Sequence, residues 1–172
     1  MTDSKQKTYA DFVLPASLVT RLDLSRLLID LERLDNELTT STVREKVDSS
    51  RAAQPVIPEQ LEEFLRLNNL DLDDTNERSY LIRQLRILKD KAPVVHMTFA
   101  STADRESLIK LADWLRQSAH PQTVLTVGLQ PSLVAGVSVR TPNRVHDFSL
   151  RRALVGQHDK LVKQLEALGG KG

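Results

Sequence analysis

Residues 131–154, Pro131 to Leu154, read PSLVAGVSVRTPNRVHDFSLRRAL, and this stretch decides what kind of sheet the chain can build. Pro131 and Ser132 break the apolar run before them, because proline presets the backbone for a turn. Val137, Val139 and Thr141 alternate with Ser138 and Arg140, the period of two that suits a half-buried strand. Thr141-Pro142-Asn143-Arg144 places proline and asparagine in the two central positions of a tight turn. Val145 to Asp147 then returns as a short paired strand. Ser149 is suited to cap a helix starting at Leu150, with Asp147 adding negative charge near its N-terminus. Gly136, inside a strand pattern, marks a bulge or a close backbone approach.

Upstream, Ala92-Pro93 is the expected boundary between two parts, 1–93 and 94–172. Val94, Val95, Met97 and Phe99 read as a buried strand. A helix follows, capped at Ser101-Thr102 or Asp104 and running to about residue 118, with Leu108, Leu111, Ala112 and Leu115 inward and Trp114 off that face. Val124, Leu125, Val127 and Leu129 form a second strand. A strand–helix–strand crossover should be parallel and right-handed, and the later strands should pair as hairpins. The last helix is expected from Leu150 to Leu168, with Leu150, Leu154, Leu161, Leu165 and Leu168 on one side and Gly169-Gly170 as its stop. Gly156 is a place for a bend. The expected class is α+β: an N-terminal helical region, then a small α/β layer in the order β-α-β-β-α.

The first part reads as helices. Leu24, Leu27, Leu31, Leu34 and Leu38 recur at spacings of three and four within a helix expected from Ser17 to Leu38. Such a seam packs inside a bundle or pairs with a partner's helix. Thr39 to Thr42 should end this helix, since their hydroxyls compete for backbone hydrogen bonds. Thr42 to Ala53 reads as a short polar helix or a connection. A second helix should begin with Pro58 at its first position and bury Leu61, Phe64, Leu65 and Asn68. A third, Thr75 to Lys91, should start from a capping pair of Asp74 and Glu77 and bury Leu81, Leu85 and Leu88. Arg78, Arg83, Arg86, Lys89 and Lys91 should decorate its other faces.

Composition excludes several function classes. The 172 residues carry 24 basic and 23 acidic side chains, a net charge of +1, which gives no electrostatic case for nucleic acid or an anionic membrane. There is no cysteine, hence no disulfide, thiol nucleophile or thiolate metal site. The polar N-terminus lacks a secretory apolar region, and no apolar run reaches the length of a membrane span. The expectation is a protein soluble when isolated, meeting a membrane only through partners. The basic side chains of the third helix read as a solvated face, without interleaved aromatics. Asp71, Asp73 and Asp74 lack the glycine and terminal glutamate of a calcium loop. His96, His120, His146 and His158 show no metal-ligand spacing. His146, Asp147 and Ser149 contain triad residue types, but a serine at a helix start is far more often a cap. No catalytic residue, metal site or cofactor is expected.

The opening stretch resembles the C-terminal signature of the delta subunit of F-type ATP synthases, the family of the oligomycin-sensitivity-conferring protein. The residues that carry the likeness are Pro131, Ser132, Leu133, Val134, Gly136, Val137, Val139, Arg140, Val145, Asp147, Ser149 and Leu154. The family's glycine pair is Ala135-Gly136 here, the small residue between the aspartate and the serine is Phe148, and the aspartate before the proline is Gln130. The resemblance implies a non-catalytic stator subunit. It would link the catalytic head to the peripheral stalk, bind the N-terminal helix of the alpha subunit and the C-terminal ends of the b subunits, and lie peripherally at the cytoplasmic face of a bacterial membrane within a hetero-oligomer. The family's helical domain is a six-helix bundle, more helices than the first part offers. The alternative is a free-standing helical adaptor or regulator with no ATP synthase role.

Overall fold

The first long helix, α1, spans Arg21–Val47, and its start is fixed by a reciprocal cap. The Asp23 carboxylate accepts the backbone N–H groups of Thr20, at 2.8 Å, and Val19, while Asp23 N–H donates to the Thr20 hydroxyl. Such a box satisfies donors that a helix N-terminus leaves open. The helix therefore begins later than Ser17. It also runs past the expected stop at Thr39 to Thr42. Thr40 donates its hydroxyl to the Asn36 carbonyl and Ser41 donates to Leu38, so these hydroxyls bond back along the helix rather than break it. The computed structural model describes residues 7–47, 55–133, 135–141 and 143–150, without the side chains of 42–47.

Helix α2 spans Glu59–Asn68 and α3 spans Thr75–Lys91. Pro58 stands one position outside α2, where its carbonyl accepts from Leu61 and Glu62. Asn69, in the left-handed conformation with φ 49°, ends the helix. The Asp74 carboxylate caps α3 by accepting from Asn76 N–H at 2.7 Å. The expected inner faces are buried: Leu61, Phe64, Leu65 and Asn68 on α2, and Leu81, Leu85 and Leu88 on α3. Arg78 is a correction. It is buried rather than on an outer face. It donates to Asp35 at 2.7 Å, to the carbonyls of Leu72 and Asp73, and to the Thr75 hydroxyl, a full set of partners that permits burial of its charge.

The chain divides into two units, Met1–Pro93 with Leu108–Val124, and Val94–Ser107 with Leu125–Gly172. One division lies between Pro93 and Val94. Residues 108–124 instead belong with the N-terminal residues, so the second unit is not the unbroken 94–172. Long-range hydrogen bonds account for this. The Arg116 guanidinium donates to the carbonyls of Pro15, Leu18 and Thr123, and the Gln122 amide donates to those of Tyr9 and Phe12. Burial lowers the Arg116 pKa from its ordinary value, against the opposing pull of Asp113. In the same unit α1 packs against α2 and α3, and Phe12 meets Phe64 edge to face at 5.5 Å.

The second unit is built on a sheet of β1 (Val94–Phe99), β2 (Val124–Leu129), β3 (Val137–Arg140) and β4 (Val145–Asp147). Helix α4, Arg105–Ser118, joins β1 to β2, and Asp104 caps it by accepting from Ser107 N–H. The sheet is mixed, in the order β2-β1-β3-β4. Strands β3 and β4 form the expected hairpin, closed by Thr141 N–H to the Arg144 carbonyl at 2.8 Å. Strand β3 does not pair with β2, as consecutive hairpins would require; it lies antiparallel to β1 on the far side. At the exit from β2, Gln130 N–H donates to the Phe99 carbonyl at the end of β1. The Pro131–Leu133 turn then carries the chain across that end. The architecture is α+β, helices first and the sheet toward the C-terminus. The expected last helix, with Leu154 and His158, lies outside the described residues.

Candidate docking surface

The signature residues lie around one turn-and-crossing in the second unit. Pro131 opens the turn, Ser132 Oγ accepts from the Gln130 amide at 3.0 Å, and Leu133 is buried. Gly136 has φ +98°, a region that residues bearing a Cβ rarely occupy. A β-carbon there would stand 2.4 Å from the Phe148 carbonyl oxygen. Two hydrogen bonds hold the crossing strands together: Phe148 N–H to Val137 O and Leu150 N–H to Ala135 O, both 2.9 Å. Asp147 accepts from Ser149 N–H at 2.9 Å, a side-chain turn that leads the chain out of the hairpin. Ser149 is buried. Val134 and Leu154 lie outside the described residues.

Register assigns the sheet faces, because directly opposed residues share a side. His96 pairs with Arg140 and Arg140 with Val145, while Thr98 pairs with Ser138 and Ser138 with Asp147. The residues so paired on this face are polar apart from Val145. Arg140 and Asp147 sit on it diagonally. Met97 pairs with Val139, Val139 with His146, and Phe99 with Val137, which makes these positions of the other face apolar apart from His146. His146 stacks on Phe148 at 6.0 Å there. His146 and Asp147, being adjacent in a strand, point to opposite sides, so the triad residue types do not converge on Ser149. Among the described residues no group of three or more His, Asp or Glu could hold a metal ion.

The leucine seam is corrected as a partner surface. Leu24, Leu27, Leu31 and Leu34 are buried in the chain's own core, and Leu38 is half-buried. Among its described residues, the large apolar side chains that α1 leaves exposed are Leu22 and Ile29, seven positions apart and off the seam. Trp114 on α4 is 61% exposed. Sequence reasoning missed the hydrogen-bonding roles of Asn68, Arg78, Arg116 and Gln122. Asn68 is fully buried and pairs with both backbone groups of Val13; only its place on an otherwise apolar inner face signalled this. Arg86, by contrast, bonds Glu32 on the surface.

No described helix is long and apolar enough to cross a membrane. No protein-family model matches the chain, and no match is found among curated proteins.

Proposed function

We propose that the protein is a delta-type stator subunit of a proton-translocating F-type ATP synthase. In this role it has no chemistry of its own. It holds the catalytic head to the peripheral stalk against rotor torque. What supports the reading is the agreement between the signature and the backbone it forms. Five of the twelve residues that carry the likeness, Pro131, Leu133, Gly136, Asp147 and Ser149, lie at the turn and the crossing, and Gly136 stands where a side chain would meet the Phe148 backbone.

The partners are then the N-terminal helix of the alpha subunit, for the helical unit, and the C-terminal ends of the b subunits, for the sheet unit. With the seam leucines buried, Leu22, Ile29 and Trp114 are among the apolar side chains left for a helical partner. The place in the cell is the cytoplasmic face of the membrane, reached through those partners. A free-standing adaptor is the second reading. It is favoured by the first unit, whose described residues form α1 to α3 and most of α4 rather than six helices.

The test is an affinity pull-down of the tagged chain from its host's membranes in mild detergent, with partners identified by mass spectrometry. Stoichiometric alpha, beta and b subunits are the expected result. Recovery of the chain alone, or with unrelated proteins, overturns the stator reading.

A further inference from the structure

Strand β2 is an edge of the sheet, bonded on one side to β1. Val124 N–H donates to the Pro93 carbonyl at 3.0 Å, and Gln130 N–H to the Phe99 carbonyl at 2.8 Å. Backbone groups of successive strand residues point to alternate edges. Those of Val124, Thr126, Gly128 and Gln130 therefore face β1, and those of Val127 and Leu129 face outward. Val124 and Leu125 are buried, whereas residues 126–130 are exposed. The open length is thus TVGLQ, with Gly128 at its middle. Sheets ordinarily blunt an edge with charge, proline, a bulge or brevity. Strand β4, the other edge, is three residues long and ends on Asp147. Strand β2 is six residues long. Residues 124–130 contain no charged residue and no proline, and Gly128 does not take the positive φ that a glycine bulge uses.

We propose that this edge pairs with the same edge of a second copy of the chain, antiparallel about a two-fold axis at Gly128. The stretch is its own complement about that axis. Val127 stands opposite Leu129 of the second copy, and Leu129 opposite the second copy's Val127, so the outward N–H and C=O groups of both exchange hydrogen bonds. Gly128 meets Gly128 of the second copy in a non-hydrogen-bonded pair, where Cα atoms approach to about 4.5 Å, and no side chain obstructs the axis. Charge favours the same occupant. A strand without charge sets no like charges opposite each other when it pairs with itself, and it offers nothing to select a charged partner strand. The contact is isologous and short, so the dimer is weak, with a dissociation constant of order 100 µM. The inference stands apart from the stator reading, since it concerns the chain free of other subunits.

Sedimentation equilibrium of the full chain tests it. The native chain should pass from monomer to dimer across roughly 10–1000 µM. Gly128→Lys and Gly128→Asp each set like charges opposite one another at the axis, and each alone should dimerise at least about fivefold more weakly than the native chain. An equimolar mixture of the two should associate at least about fivefold more tightly than either alone, because opposite charges then meet. A native chain that stays monomeric throughout overturns the proposal, and so does a mixture no tighter than its components. If the substitutions cost the fold, hydrogen exchange on the native chain decides. The Val127 and Leu129 amides should exchange at least about threefold more slowly at roughly 1 mM than at roughly 10 µM. Rates independent of concentration overturn the proposal.

Discussion

Gly136 runs so close to Ser149 that a β-carbon on the glycine would stand 2.9 Å from the serine Cα. The neighbour is backbone, held by hydrogen bonds on both sides, so it has little freedom to give way. Gly136→Ala should destabilise the protein by at least about 2 kcal/mol, from the positive φ and the contact together. Gly128→Ala is the control, because its β-carbon would meet neighbours only at 3.6 Å or beyond. It should change stability by less than about 1 kcal/mol. Urea unfolding of the two variants separates these outcomes.

Arg78 and Asp35 form an ion pair at 2.7 Å with the arginine side chain only 4% exposed. Removing the guanidinium strands a carboxylate and the carbonyls of Leu72 and Asp73. Arg78→Ala should cost about 3 kcal/mol. Arg86→Ala breaks a pair whose arginine is exposed, and should cost less than about 1 kcal/mol. Equilibrium denaturation of both variants tests the contrast.

Leu31 and Ile29 share a helix and differ in what they face. Leu31 is fully buried and Ile29 is exposed. Leu31→Ala should cost about 2–5 kcal/mol, and Leu24→Asp with Leu31→Asp should abolish the fold. Leu22→Asp with Ile29→Asp should leave the thermal midpoint nearly unchanged. In the stator reading the second pair should instead reduce recovery of the alpha subunit in the pull-down.

Asp104 has a lowered pKa, chiefly through the Ser107 side-chain and backbone hydrogen bonds. A carboxylate with a depressed native pKa contributes stability that is present above its ordinary value of 3.8 and is lost as pH falls through the lowered native one. Asp104→Ala should therefore be less stable than the parent at neutral pH. The gap should narrow as pH falls below 3.8. Unfolding curves of the two proteins across that range test the sign.

Much of the secondary structure was legible because its signals are local. Helix α3 follows from Asp74 and the leucines at 81, 85 and 88, and the hairpin follows from alternation broken by Thr141 to Arg144. The Thr20 and Asp23 box was also present in the sequence and would have placed the start of α1. Within the candidate surface, the close approach at Gly136 was legible, since a glycine in a strand pattern has few other reasons to be there.

Sequence by itself determined most of the apolar residues that α1, α2 and α3 turn inward, because the period of a helix is fixed by backbone geometry, though not Arg78. It did not determine what they turn toward. A seam such as Leu24 to Leu34 has the same spacing whether its partner is another protein or the chain's own helices, and tertiary packing decided for the chain. Tertiary structure alone also set β3 beside β1, in the antiparallel ladder that pairs Met97 with Val139. It buried Arg78 and half-buried Arg116 as well. The carbonyls that Arg116 satisfies at Pro15 and Leu18 are 101 and 98 residues away along the chain. A charged side chain is stable in such a place only once folding has brought its partners there.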